Sequence, residues 1–105
     1  MKIHWKKPKI KKYVETFARS NPVTARRMTS IKVAKDFTDL ECPTNGRAHF
    51  LKGKDKGKFA IDLERKGNGN RIICIPEGDF IYKDGQYVKK SITELMILEV
   101  KDYHK

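Results

Sequence analysis

The chain has 105 residues and carries 24 Lys and Arg against 13 Asp and Glu, a net charge of +11, so it offers room for one domain, spanning 1–105, with a modest core drawn from its 38% hydrophobic residues. Uncompensated charge on this scale repels itself in a compact state and points to a polyanionic partner, nucleic acid before an acidic protein or a membrane surface, with a purely solubilising surface as the plain alternative. No apolar stretch approaches the length of a membrane-spanning helix, and Cys42 and Cys74 show neither CxxC nor metal-ligand spacing, so a chain without membrane insertion, metal or disulfide, in a reducing cytoplasm, is expected.

Ile3 and Trp5 alternate with polar residues and predict a short first strand. Pro8 fits the first turn of a helix, and Ile10, Tyr13, Val14 and Phe17 then form one apolar face running to about Arg19. Ser20-Asn21-Pro22 breaks that helix and starts another, with Asn21 as N-cap. Met28, Ile31, Ala34, Phe37 and Leu40 recur at steps of three, a stripe that drifts around a straight helix and leaves its end undetermined. Cys42 to Arg47 is loop-like, and there the period changes from helix to strand. Strands are expected over 47–52, over 59–64 and over Arg71 to Ile75, the last apolar on both faces and therefore central. The turn Gly67-Asn68-Gly69-Asn70 separates the second from the third, and Asp84-Gly85 between Tyr82 and Tyr87 marks a hairpin. Ile92 to Val100 is almost continuously apolar and predicts a buried last strand. The sum is an α+β fold, two N-terminal helices packed on a mainly antiparallel sheet of about four to five strands.

The charge is uneven along this order. Residues 1–35 carry 11 bases and one acid, residues 36–45 three acids and no base, residues 46–71 eight bases and three acids, and residues 72–105 five bases and six acids. In the third block Lys52, Lys54, Lys56 and Lys58 interleave with glycines at a strand–turn–strand, which offers ammonium groups and backbone N–H donors to phosphate; an ordinary solubilising hairpin is the competing reading. Arg71 opens a strand, where a guanidinium can clamp a phosphate bidentately or make a structural ion pair. His49 lies on the strand before the lysines. The ending Asp102-Tyr103-His104 follows an apolar strand, and supplies a ring for base stacking and a group that titrates near neutral pH, where a frayed tail is the ordinary alternative.

Taken together, Ala48-His49-Phe50-Leu51-Lys52-Gly53, Gly57-Lys58-Phe59-Ala60-Ile61, Asn70-Arg71-Ile72-Ile73 and the stretch from Ile92 to His104 resemble, in order and spacing, the RelE/ParE superfamily of toxins, and the ending resembles HigB-type killer proteins in particular. The chain departs from compact HigB proteins in residues 76–91, which add a hairpin. The resemblance implies the toxin of a type II toxin–antitoxin system, a metal-independent and cofactor-free endoribonuclease that cuts mRNA on the ribosome. Position by position it implies catalytic roles for His49, Arg71, Asp102, Tyr103 and His104, and RNA contacts for Lys52 and Lys54, with Lys56 and Lys58 in the same loop. It implies a helix-turn-helix antitoxin of the HigA kind as partner, with operator DNA reached only through that complex. Two alternatives share the fold: a ParE-like inhibitor of DNA gyrase that acts by binding, and an inactive module that binds only RNA or antitoxin.

Overall fold

The computed structural model describes residues 1–64 and 69–102, with Asp102 by its backbone alone. Strand β1 (Lys2–Trp5) leads into α1 (Pro8–Ser20), whose first position is the proline, a residue with φ already set and no N–H to leave unbonded. Asn21 caps α2 (Pro22–Val33) by accepting the Thr24 N–H at 3.1 Å. The helix stops at Ala34, whose backbone is extended, and Asp36 starts a one-turn α3 (Phe37–Leu40) by accepting the Thr38 N–H at 2.8 Å.

That break settles the drifting stripe. Met28, Ile31, Ala34, Phe37 and Leu40 are all buried, yet a straight helix turns by 300° in three residues and would carry the last of them away from the sheet. Extended backbone at Ala34 re-aims the chain, so two helices and a separate turn, rather than two helices alone, fill the layer.

The sheet follows as β2 (His49–Phe50), β3 (Phe59–Asp62), β4 (Asn70–Pro76) and, after a separate hairpin of β5 (Tyr82–Lys83) and β6 (Gln86–Tyr87), β7 (Glu94–Asp102). Its order is β1-β7-β4-β3-β2, with β4 central as expected. Three ladders are antiparallel; β1 on β7 is parallel, so the sheet is mixed and β7 is flanked by the chain's first strand. The register slips once, between Ile73 facing Glu99 and Cys74 facing Ile97, which leaves Leu98 as the extra residue of a bulge. The strand expected over 47–52 shrinks to two residues, because Gly46 (φ 115°) and Arg47 (φ 50°) both have left-handed backbone and Gly53 (φ 68°) turns the chain again. Part of the predicted turn at 67–70 lies outside the described residues; Gly69 is left-handed (φ 78°) and Asn70 begins β4.

Alternation divides the sheet into two faces. Phe59, Ile61, Ile72, Cys74, Leu95 and Ile97 join Val14, Met28, Ile31, Phe37 and Leu40 in the hydrophobic core under the helices. Phe37 anchors it, stacked on Phe50 with centroids 4.5 Å apart and edge-on to Phe59 at 5.1 Å. Arg27 reaches across from α2, fully polar in a buried setting: its guanidinium donates to the carbonyls of Pro43 (3.0 Å) and Glu64 (3.3 Å), and burial pulls its pKa below the usual arginine value.

Two outcomes follow from the core. Phe37→Ala removes the ring on which Phe50 and Phe59 pack and should cost roughly 3–5 kcal/mol in urea denaturation. Burial pushes the Cys74 thiol well above its ordinary range, whereas the Thr44 hydroxyl, 3.1 Å from the exposed Cys42 sulfur, holds that thiol lower. Iodoacetamide should therefore label Cys42 alone in the native protein and both cysteines in denaturant, as read by mass spectrometry.

Candidate active site on the open sheet face

The face turned away from the helices carries the candidate residues. His49 on β2 pairs with Ala60 on β3, which pairs with Ile73 on β4, which pairs with Glu99 on β7. Two residues along, Asp62, Arg71 and Lys101 form the next row. Directly paired residues and residues two apart share a face, so His49, Arg71 and Lys101 all project from the open one, open in that no helix covers it, although Ala60 and Ile73 at its centre are buried. Ideal sheet spacings put the His49 and Arg71 Cα positions on the order of 12 Å apart, a gap that their side chains and one phosphodiester can span.

Asp62 organises this face. It sits in an otherwise apolar run, its side chain only 5% exposed. One carboxylate oxygen accepts from Arg47 Nε at 3.1 Å and lies 3.0 Å from Arg47 Nη2. The other lies 2.9 Å from Arg71 Nε, an ion-pair contact rather than an aligned hydrogen bond. The Asp62 amide donates to the Gly46 carbonyl at 2.8 Å, and a Cβ on Gly46 would fall 2.3 Å from Ile61 Cγ2, so a glycine is required where the loop crosses β3.

Arg47, so held, orients the histidine. His49 Nδ1 lies 3.0 Å from the Arg47 carbonyl. A carbonyl oxygen only accepts, so Nδ1 carries the proton and, in the neutral ring, Nε2 keeps the lone pair. The start of β4 is tied down separately. Glu64 accepts the Asn70 N–H at 2.6 Å and the Asn21 amide at 3.3 Å, which links the residue before Arg71 to the cap of α2.

The lysines divide. Lys58, two residues before Ala60, continues the open face and lies 3.4 Å from Asp55. Lys52, Lys54 and Lys56 are exposed on a 3-10 turn (Gly53–Asp55) and its flanks, at the edge of the sheet rather than over its centre. The backbone of Asp102 pairs with Asn70, which brings the end of β7 alongside Arg71. Tyr103 and His104, and the side chain of Asp102, lie outside the described residues. Arg47, Asp62 and Lys101 were not singled out from the sequence. A lone acid in Phe-Ala-Ile-Asp-Leu is the signal for Asp62, whereas the left-handed backbone of Arg47 leaves no trace in composition. Among the described residues no three His, Cys, Asp or Glu side chains converge as a metal site, and no helix is long and apolar enough to cross a membrane.

This architecture is similar to that of a YoeB/ParE toxin from Agrobacterium tumefaciens, with a TM-score of 0.61 at 18% identity over 99% of this chain and 100% of that one. The chain has the fold of that toxin. No family model matches the sequence, and no curated protein matches it.

Asp62→Asn keeps the shape but removes the charge that two arginines share. It should lower stability by roughly 1–3 kcal/mol in urea denaturation, tempered by the partial exposure of Arg47.

Proposed function

We propose that the protein is the toxin of a type II toxin–antitoxin pair and acts as a ribosome-dependent endoribonuclease of the RelE/ParE superfamily. The observation that carries the reading is the pairing, on one open sheet face, of an imidazole whose Nε2 is left as acceptor with a guanidinium fixed by a buried carboxylate. The fold shared with a YoeB/ParE toxin and the resemblance of the ending to HigB-type proteins support it.

The reaction is a transesterification. The 2′-OH attacks the adjacent phosphorus in line, the bond to the 5′-oxygen breaks, and a 2′,3′-cyclic phosphate and a 5′-OH result. His49 Nε2 takes the 2′ proton as general base. Arg71, with Lys101 paired beside it, Lys58 on the other side of the His49 row and Lys52 at the edge, balances the charge that builds on the phosphorane oxygens. His104 returns a proton to the leaving oxygen, Asp102 orients it, and Tyr103 stacks on a base; these three roles rest on the resemblance alone. The lysines at the start of α1, with Lys54 and Lys56, hold ribosomal RNA through salt-sensitive phosphate contacts. The partner that silences the protein is a helix-turn-helix antitoxin, and operator DNA is reached through the complex of the two.

In a cell-free translation reaction, primer extension should reveal new mRNA ends only when ribosomes are present. His49→Ala and Arg71→Ala should each reduce cutting by about 10²–10⁴-fold with the fold retained. Intact mRNA in the presence of folded wild-type protein would overturn the reading, and inhibition of purified gyrase in the same preparation would replace it with a binding toxin.

A further inference from the structure

The hairpin of β5 and β6 forms a two-stranded sheet of its own, and it leans back on the main one. Its turn, Asp84-Gly85, has left-handed backbone at both residues (φ 53° and 79°), the geometry that a two-residue hairpin loop requires. Alternation sorts its side chains. Tyr82 and Tyr87 pair across one face, while Ile81 and Val88 meet in the next row. Tyr87 is fixed: its ring stacks on Phe50 at 5.4 Å, and its hydroxyl donates to the Gly57 carbonyl at 3.0 Å. Tyr82 stands edge-on to it at 5.0 Å with 55% of its surface exposed.

Between the hairpin and the loop after β2 lies a cleft of about 470 Å³, walled by Phe50, Leu51, Tyr82 and Tyr87 and lined also by Gln86 and Lys56. This volume is suited to one small planar ligand. The loop that forms its far lip carries Lys52, Lys54, Lys56 and Lys58 against Asp55 alone, while Lys89 on the near lip pairs with Glu41 at 2.7 Å. Three aromatic rings with lysines beside them match a nucleobase and its phosphates; Leu51 is the aliphatic member of the wall, and the exposed pair Ile81 and Val88, which a protein partner would favour, is not part of it.

We propose that this cleft is a stacking slot for one unpaired RNA base, held on Tyr82. The position relative to the candidate active site follows from the strand order. His49 and Phe50 are consecutive and face opposite sides of β2, and β2 is the edge of the sheet, two residues long. An RNA strand leaving His49 meets no further strand before the slot, so the base it takes is a near neighbour of the cut phosphodiester. This placement rests on the ribonuclease reading; the slot itself does not.

The test uses the full chain and a hexaribonucleotide made uncleavable by 2′-O-methylation, with one 2-aminopurine as reporter. Binding to wild type and to Tyr82→Phe should quench the reporter. Tyr82→Ala, with an unchanged melting temperature, should bind about 5- to 100-fold more weakly. An oligomer with an abasic residue in place of the reporter, judged by competition, should bind wild type as poorly as the intact oligomer binds Tyr82→Ala, an arm that needs no variant to fold. Equal binding of abasic and intact oligomers overturns the slot. So does Tyr82-dependent binding of an amphipathic Glu/Leu peptide without such binding of RNA, which makes the cleft a protein groove. The two proposals fail separately: a wild type that cuts mRNA but ignores the abasic change loses only the slot, and one that stacks the reporter but cuts nothing loses only the ribonuclease reading.

Discussion

The buried carboxylate of Asp62 is the contact on which the open face depends. Placing an acid in an apolar strand is costly unless it is paired, and here two guanidiniums, from Arg47 and Arg71, flank it. Each of these does a second job. Arg47 presents its carbonyl to His49 and so selects the imidazole tautomer, and Arg71 is itself the cation proposed to face phosphate. One carboxylate thus sets both groups of the proposed chemistry, the first through a backbone atom and the second directly. Arg47, Lys58, Arg71 and Lys101 lie on or beside this face, with Asp62 between the two arginines, Asp55 against Lys58 and Glu99 one row from Lys101.

The layer behind supplies rigidity. Phe37, from a single helical turn, wedges between Phe50 and Phe59, and the stack continues outward through Phe50 to Tyr87. The position of the hairpin is therefore linked to the core by rings rather than by backbone pairing. Arg27 and Glu64 add polar ties at the other end of β3, joining α2 to the loops that precede β2 and β4.

Much of this was legible in the residues. The apolar face of α1, the Asn21 cap, the central position of β4 and the Asp84-Gly85 hairpin all follow from short-range rules, and each is a strong local signal. The parallel pairing of β1 with β7 was not legible, because a four-residue strand carries no mark of a partner some ninety residues away. Nor was the shortness of β2, which depends on left-handed backbone at Arg47, a residue type that rarely adopts it. His49, Arg71 and the lysine loop stand out by residue type and resemblance. That His49 and Arg71 share a face depends on register, which a one-residue slip would reverse. Asp62 showed only as the polar member of an alternating pair, and its burial needed the structure.

The two margins of the sheet have a consequence beyond the proposed recognition of RNA. β1 spans four residues and β2 two, and lysines border both: Lys2, Lys6 and Lys7 at one, Lys52 and Lys54 at the other. Short, charged edges resist pairing with the edge of a second copy, so these side chains also act as guards against fibrillar association. Neutralising them to weaken the proposed RNA contacts would strip that protection as well, and a loss of function in such variants has to be separated from a loss of colloidal stability.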